Sequence, residues 1–428
     1  MVLSAAAVFS RLGRLGAHPL RCLSSSPGCI DLERARQETR GCNLPGAPIF
    51  LNSAGSSLPP KCVVDAQVTY LRQEEIRGGY AVSDGSEAEL EGFYTAAARL
   101  LGCRPCEVAF TESATRAWTL LFHSLRFAPG DRILTSASDY GSNFVGYLQA
   151  RDRWGVEVVI VPDDETGQVD LDQLRAAAKH PRSKLISFNH VPTGGAVVQP
   201  VREVGGIARE HGLPFLLDAC QSVGQLGVDV GEIGCDMLTA TGRKFLRGPR
   251  GTGLLFVREG FLPQLEPFPL DQEGALLLSE SEMKLRSDAR CFEHYECNFS
   301  GKAALTVALE YALGWGMDAI EARVKALAAR LRARLREVQG VELTDVGREL
   351  CGIVTFAVAG RSPTEAKAAL QAAGIEVSAS VAAGGGPRVW FDSRGLAGVV
   401  RASPHYFNTE DEVDQCAAIV SRIAASTT

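Results

Sequence analysis

Two residues with useful chemistry stand at the ends of successive apolar segments. Asp218 ends the run 215–218, and Lys244 follows the next run, 237–240, in a Thr-Gly-Arg-Lys turn. If these runs are neighbouring strands of a parallel sheet, both side chains lie within reach of one ligand. A carboxylate can hold a protonated pyridine nitrogen and a lysine can form a Schiff base, so the pair suits pyridoxal phosphate. Taken singly, such an Asp is more often a helix cap and such a Lys a solvated charge.

Further polar residues follow other apolar runs and are expected at the same edge of the sheet. Thr115 opens a predicted helix, whose first N–H groups can bind a phosphate, although a plain helix cap explains it equally well. Tyr140 offers a ring that can stack on a flat cofactor. Thr193 follows a third run, and Arg243 beside Lys244 suits a phosphate ester.

The elements that must position these residues are short apolar strands separated by amphipathic segments. Helical patterns such as 170–179 and 201–211 lie between the strands. Apolar strands joined by crossover helices predict an α/β fold, with a three-layer, mostly parallel sheet covered by helices on both faces. The predicted strands are 108–110, 133–136, 156–161, 185–189, 215–218, 237–240 and 254–257.

Beyond residue 260 the pattern changes to that of a smaller α+β C-terminal domain. A long helix is predicted over 304–338, because one apolar stripe runs along it. The stripe consists of Ile320, Val324, Leu327, Leu331 and Leu335. Strands over 352–358 and 399–403 and helices over 363–373 and 410–424 follow.

These patterns divide the chain into four predicted parts. Residues 1–28 contain three arginines and no acid, which is typical of a mitochondrial transit peptide; a frayed N-terminus is the alternative. Residues 29–69 are expected to contribute to the small domain and the active site. Residues 70–285 form the large cofactor-binding domain, and 286–428 form the small domain with its connecting helix. The predicted location is the mitochondrial matrix.

Composition excludes several classes of protein. The 428 residues carry a formal charge of −6, which gives no signal for nucleic-acid binding. No stretch approaches the ~18 uninterrupted apolar residues of a membrane helix. The twelve cysteines are scattered, which predicts reduced and mostly buried thiols. The Cys103-x-x-Cys106 pair has no partner at zinc spacing, so no metal site is predicted.

The sequence resembles the class V aminotransferase-type, pyridoxal-phosphate-dependent enzymes of fold type I, a group that includes the cysteine desulfurases. DACQSVGQ (218–225) and TGRKFLRGPRGTG (241–253) carry the resemblance most specifically. It extends from FLNSAGSSLPP (50–60) to VVRASPHYFNTEDEVD (399–414). The resemblance implies pyridoxal 5′-phosphate as the cofactor, a small amino acid as the substrate and a homodimer with the site at the interface.

The resemblance also implies roles for individual residues. Lys244 matches the Schiff-base lysine, and Asp218 the carboxylate that keeps the pyridine nitrogen protonated. The other cofactor contacts implied are Gln221 to the phenolic oxygen, Thr115 with the Ala114 backbone to the phosphate, Tyr140 stacking where desulfurases have His, and Arg243 in place of a phosphate-binding His. Arg401, helped by the backbone near Ala54 and Gly55, matches the group that holds the substrate carboxylate.

One departure from the desulfurases bears on the reaction. They carry a mobile cysteine upstream of the substrate arginine, but the corresponding loop 377–388 contains none. The variants VPTGG, LLDACQSVGQL and GRKFLRGPRGTG resemble instead the branch with isopenicillin-N-epimerase-like proteins and hercynylcysteine sulfoxide lyases. We therefore expect a carbon–sulfur (β) lyase acting on a cysteine-derived amino acid. Transamination or epimerisation is the alternative, and a catalytically silent cofactor-binding protein is the remote one.

Overall fold

The structure, a computed structural model, describes residues 29–384 and 387–426. The predicted leader, residues 1–28, lies outside this part of the chain. The strands are β1 (Ile49–Phe50), β2 (Val108–Thr111), β3 (Arg132–Ser136), β4 (Glu157–Val161), β5 (Ser183–Asn189), β6 (Phe215–Asp218), β7 (Met237–Thr241), β8 (Gly253–Val257), β9 (Ala275–Ser279), β10 (Glu282–Leu285), β11 (Val341–Leu343), β12 (Val354–Val358), β13 (Ile375–Glu376), β14 (Ser378–Val381) and β15 (Gly398–Ala402).

Fifteen α-helices are found in the same part of the chain. They are α1 (Leu32–Gln37), α2 (Ser53–Ser56), α3 (Lys61–Arg77), α4 (Gly79–Gly85), α5 (Glu87–Leu101), α6 (Ala114–His123), α7 (Gly141–Trp154), α8 (Leu171–Ala178), α9 (Val201–His211), α10 (Val230–Ile233), α11 (Phe299–Trp315), α12 (Met317–Arg336), α13 (Pro363–Ala372), α14 (Arg388–Ser393) and α15 (Glu410–Ala425).

A seven-stranded sheet forms the centre of the molecule, in the order β2-β8-β7-β6-β5-β3-β4. β8 pairs antiparallel with β2 and β7, and all other pairs in this sheet are parallel. Every strand predicted for this sheet is present, and its ends lie within two residues of the prediction. The predicted mostly parallel sheet is therefore confirmed.

Helices cover both faces of this sheet, because its strands are apolar on both sides. In β6, Phe215 and Leu217 join one buried cluster and Leu216 joins the other. The first cluster includes residues of α5, α8, α9 and α11, and the second includes residues of α6 and α7. Burial on both faces explains why the strands read as continuous apolar runs rather than as alternating patterns. The three-layer architecture is confirmed.

A second, antiparallel sheet lies toward the C-terminus, in the order β11-β12-β15-β14. Its core includes residues of α12, α13 and α15. The N-terminal segment also meets this region, since β1 pairs in parallel with β13 and Asn52 bridges to Ser403. The predicted domain boundary near residue 285 stays a prediction.

The single helix predicted over 304–338 is wrong, because Gly316 divides it into α11 and α12. Gly316 adopts the left-handed backbone conformation, with φ 84°. The first helix packs against α3 and α5 beside the large sheet, and the second against the small sheet. The apolar stripe predicted for the second helix is confirmed, because all five of its residues are buried.

The described cysteines are free thiols, but their burial is less complete than predicted. Cys235, Cys291, Cys351 and Cys416 are buried, Cys29 is exposed, and the others are half-buried. No helix in the described ranges is long and apolar enough to cross a membrane. Within the same ranges, no group of three or more His, Cys, Asp and Glu side chains could hold a metal ion.

The break at Gly316 leads to a test of its backbone conformation. Gly316→Ala is expected to lower the free energy of unfolding by ~1 kcal/mol, because an added Cβ meets no neighbour but disfavours the left-handed backbone. Gly314→Ala is the matched control, since it lies in a helix and its Cβ also meets open space. That change is expected to raise the same free energy by ~0.5 kcal/mol. Urea unfolding measures both changes in the free energy of unfolding. If the two variants changed it in the same direction, the assigned backbone conformation of Gly316 would be contradicted.

Candidate active site

The carboxyl ends of four parallel strands bring the predicted site residues together. In the register of the sheet, Asp218 of β6 lies beside Asn189 of β5 and Thr239 of β7. Lys244 follows β7 in the next turn, and Tyr140 follows β3. The two residues that first indicated a cofactor therefore share one edge of the sheet.

A cleft opens at this edge. All the cofactor-binding residues predicted from the sequence line it: Ala114, Thr115, Tyr140, Thr193, Asp218, Gln221, Arg243 and Lys244. The predicted substrate-binding residues adjoin this set. Ala54 accepts a hydrogen bond from Gln221, Gly55 accepts one from Arg243, and Arg401 donates to Thr193.

Asp218 carries a buried carboxylate that is oriented by two donors. The backbone N–H of Cys220 donates to its Oδ1 at 2.9 Å, and the amide of Asn143 donates to its Oδ2 at 3.2 Å. No described cation lies within ion-pair distance of it. A buried carboxylate of this kind suits a ligand that brings a positive charge or an N–H group.

Lys244 has an amine that loses its proton more easily than an ordinary lysine. The side chain is 8% exposed, and burial lowers the pKa of Lys244 to about 8. The charges of Arg243 and Arg401 contribute to this lowering of the pKa, and Cys220 and Asp218 oppose it. About a tenth of the amine is then neutral at pH 7, far more than for an ordinary lysine, and the neutral form is the one that a nucleophile or a proton acceptor requires.

The cleft presents more positive than negative charge. Arg243, Lys244 and Arg401 meet there, and none of them forms an ion pair with a described carboxylate. Arg401 donates from Nη1 to the Thr193 carbonyl at 2.7 Å and to its hydroxyl at 3.1 Å, and its buried Nε has no partner among the described residues. Burial, followed by the charge of Arg243, lowers the pKa of Arg401 to about 10. Such a site favours anionic groups such as a phosphate or a carboxylate.

The start of α6 forms a cradle for an anion. Ser113 caps this helix, its Oγ accepting from the Arg116 N–H at 3.1 Å. The N–H groups of Ala114 and Thr115, in the first turn, have no partner within the helix. Gly253 of β8 packs so closely that a Cβ there would lie 2.9 Å from the Ala114 nitrogen. This close approach explains why a glycine stands at the start of β8.

Arg247 joins the lysine turn to the rest of the site. It is 1% exposed, lies in the left-handed region with φ 62°, and has no carboxylate partner in the described part of the chain. Its guanidinium donates to the Leu58 carbonyl at 2.9 Å, the Tyr406 hydroxyl at 2.6 Å and the Thr39 hydroxyl at 2.6 Å. Its Cζ atom also lies 4.6 Å from the centre of the Phe407 ring. One cation thus binds segments near both ends of the chain.

Sequence reasoning missed several groups that complete the site. Asn143 contacts Asp218 from the first turn of α7, three residues after Tyr140, and Cys220 and Asn189 line the cleft. A spacing of three residues on a helix is the signal that could have linked Asn143 to Tyr140. Cys220 stands inside the DACQ motif, but the scattered spacing of the cysteines gives no signal that sets it apart.

A larger groove lies elsewhere on the surface, and some of its charges pair with one another. Arg202 pairs with Glu232, and Arg348 pairs with Asp164. The smaller cleft brings together Asp218, Arg243 and Lys244 at the edge of the sheet, so we place the chemistry there.

Comparison with known proteins identifies related sequences and folds. Residues 49–416 match the family described as aminotransferase class V. A probable cysteine desulfurase of Methanothermobacter thermautotrophicus is 29% identical over 380 residues, covering 88% of this chain and 94% of that protein. The apo cysteine desulfurase of Thermococcus onnurineus is 27% identical with a TM-score of 0.83, covering 92% of this chain and 98% of that one. A cysteine desulfurase structure from Escherichia coli has a TM-score of 0.84 at 21% identity, covering 93% of this chain and 100% of that one.

Pyridoxal 5′-phosphate is the cofactor of this chain, and the cleft fits it. The unpaired cations and the free N–H groups of α6 suit its phosphate, and Asp218 suits its ring nitrogen. Gln221 donates to the Ala54 carbonyl and the Thr193 hydroxyl, and its buried Oε1 has no described partner. The first N–H groups of α6 and the Oε1 of Gln221 are thus free to form hydrogen bonds with a polar cofactor.

The close packing of Gly253 leads to a test of the phosphate cradle. Gly253→Ala is expected to weaken pyridoxal phosphate binding by about tenfold or more, because the new Cβ displaces the Ala114 backbone. Equilibrium titration of the apoprotein with the cofactor measures the dissociation constant. Gly260→Ala is the matched control, since a Cβ there meets no neighbour. Equal affinities for the two variants, both folded by circular dichroism, would show that the cradle lies elsewhere.

Proposed function

Because this chain belongs to the aminotransferase class V family, we propose that it is a carbon–sulfur lyase acting on a cysteine-derived amino acid. Curated relatives from Methanothermobacter and Salmonella are named as cysteine desulfurases, the first of them as probable, which supports a sulfur-containing substrate. The motif variants that resemble those of hercynylcysteine sulfoxide lyases favour a sulfoxide conjugate of cysteine within this class.

The position of the thiols carries the choice of lyase over persulfide-forming desulfurase. Among the described cysteines, Cys220 lines the cleft, and burial, helped by the charge of Asp218, raises the pKa of Cys220 well above its usual range. Its thiol stays protonated and is a poor sulfur acceptor. Cys351 and Cys416 are fully buried in the core. The segment 377–388, whose Ser378 pairs with Arg401, has no cysteine.

Arg401 is positioned to hold the substrate carboxylate. Thr193 fixes one end of its guanidinium, and the unpartnered Nε leaves a donor for an anionic group. Arg243 lies close enough to lower the pKa of Arg401, so a carboxylate or phosphate between them would relieve their repulsion. Arg243 and Arg401 thus give the site two anion-binding positions.

Lys244 is positioned to move the proton of the substrate α-carbon. Pyridoxal phosphate, when bound, supplies an electron sink for the pair left by the α-C–H bond. The neutral Lys244 amine takes that proton, and the Asp218 carboxylate would keep the ring nitrogen of the bound cofactor protonated. The Cβ–S bond then breaks, and the sulfur leaves with the bonding pair and takes up a proton. The other product, 2-aminoacrylate, adds water to give pyruvate and ammonia.

A homodimer in the mitochondrial matrix is part of the proposal. An exposed apolar surface supports the dimer, because Leu276, Leu277, Leu278 and Met283 of the β9–β10 hairpin all face solvent in the single chain. The arginine-rich, acid-free segment 1–28 supports the location.

We expect light scattering to give twice the mass of one chain. Leu277→Asp, which places a charge in the apolar hairpin, is expected to shift the mass toward that of one chain. A monomeric wild type at micromolar concentration would contradict the dimer.

The proposed reaction is tested by product analysis of the cofactor-loaded protein. Cysteine, cystine, cysteine S-conjugates and their sulfoxides are incubated separately, and the products are identified by mass. At least one substrate is expected to yield pyruvate, ammonia and a sulfur-containing fragment in equal amounts. Lys244→Ala is expected to abolish the yield, because it removes the proton acceptor.

Other outcomes identify the competing functions. Transfer of the amino group to an added keto acid, without pyruvate, would establish an aminotransferase. A mirror-image amino acid would establish an epimerase. No turnover of any compound by protein that retains bound cofactor would point to a silent binding protein. Each of these results contradicts the lyase.

A further inference from the structure

A second buried carboxylate, Asp139, lies directly behind Asp218. It follows β3, immediately before Tyr140, and is 2% exposed. Its Oδ2 accepts from the Thr135 hydroxyl at 2.9 Å and from the Tyr147 hydroxyl at 2.6 Å. This side chain does not line the cleft, and the reaction described above makes no use of it.

The amide of Asn143 links the two carboxylates. Its Nδ2 donates to Asp139 Oδ1 at 3.0 Å and to Asp218 Oδ2 at 3.2 Å. Asp139 Oδ1 also accepts from the Tyr140 N–H at 2.7 Å. The same carboxylate therefore fixes the backbone of the residue predicted to stack on the cofactor and the side chain that orients its acidic partner.

Two ionisable side chains face Asp139. From β6, Asp218 faces it, and from α7, Tyr147 donates to it, its hydroxyl also meeting Ser187 of β5. Burial and then the charge of Asp218 raise the pKa of Asp139 to about 6, against the effect of the Tyr147 hydrogen bond. At neutral pH Asp139 is therefore mostly ionised. Two negative charges then lie within hydrogen-bond distance of one amide.

We propose that Asp139 is a positioning residue that holds Tyr140 and Asn143 in place and adds a second negative charge, which keeps the cofactor ring nitrogen protonated together with Asp218. The proposal rests on the cofactor assignment and does not depend on which substrate the enzyme cleaves. A purely structural role is the alternative, since a carboxylate at the start of α7 also stabilises the helix dipole. The two roles differ in whether the negative charge of Asp139 affects the protonation of the ring nitrogen.

The test uses Asp139→Asn with bound pyridoxal phosphate labelled with ¹⁵N in the ring. The ¹⁵N chemical shift reports whether the ring nitrogen carries a proton, and no substrate is needed. In Asp139→Asn the ring nitrogen is expected to lose its proton at a pH lower by about one unit or more, because one nearby negative charge is gone. A ring nitrogen that stays protonated over the same pH range as in the wild type would overturn the proposal.

Two further variants separate charge from disturbance of the network. Tyr147→Phe removes one donor but keeps the Asp139 charge, so its ring nitrogen should titrate within a few tenths of a pH unit of the wild type. Asn143→Ala keeps both carboxylates and removes their shared donor, which makes them better proton acceptors. In this variant the ring nitrogen should keep its proton up to at least the pH at which the wild-type ring nitrogen loses it. A downward shift in Asn143→Ala equal to that in Asp139→Asn would overturn the proposal, even if Asp139→Asn proves too unstable for a full titration.

These measurements distinguish a failure of this inference from a failure of the proposed function. If the enzyme transaminates rather than eliminates, the expected ¹⁵N shifts are unchanged. If Asp139 has only a structural role, the product analysis with cysteine derivatives still tests the proposed lyase on its own.

Discussion

The site depends on a buried cation that has no carboxylate partner in the described chain. Arg247 lies three residues beyond Lys244 and reaches Thr39, Leu58 and Tyr406, which come from opposite ends of the sequence. A guanidinium that is taken out of water must be satisfied by hydrogen bonds and ring faces, so all of these contacts must form together. The left-handed backbone at Arg247 is unfavourable on its own, and the same contacts hold it in place. The placement of the lysine turn is thereby coupled to the packing of these distant segments.

The N-terminal segment acts as a connector between the two halves of the site. Its Ser57 N–H donates to the Arg243 carbonyl at 2.8 Å, and its Ala54 N–H donates to the Ser403 hydroxyl at 2.9 Å. One short stretch therefore contacts both the lysine turn and the strand region that bears Arg401. A movement of the small sheet against the large one would change the distance between Lys244 and Arg401 through this stretch.

Much of the large sheet could be predicted because its physical signals are local. Strands buried on both faces must be apolar throughout, and a polar residue directly after such a strand lies at the sheet edge, so the placements of Asp218 and Lys244 followed. The break at Gly316 could not be predicted, because a glycine within an apolar pattern is compatible with a continuous helix. Its conformation is set by two helices that pack on different cores. Asn143 and Arg247 were also missed, since their roles arise from contacts between residues distant in sequence. Asp139 was missed although its hydrogen-bond partners are local, because no motif distinguishes a carboxylate that turns into the core from one at the surface. Most of the cleft was thus predictable from motifs, but the groups that hold it in place were not.

The protonated thiol of Cys220 has a consequence for the durability of the enzyme. An eliminating enzyme releases an unsaturated, electrophilic product beside its own nucleophiles at every turnover. A thiolate in that position would be the form open to alkylation, whereas a thiol held in its neutral form by burial and by Asp218 is a poor nucleophile. If the enzyme eliminates as proposed, the carboxylate of Asp218 would also protect its neighbour from self-inactivation.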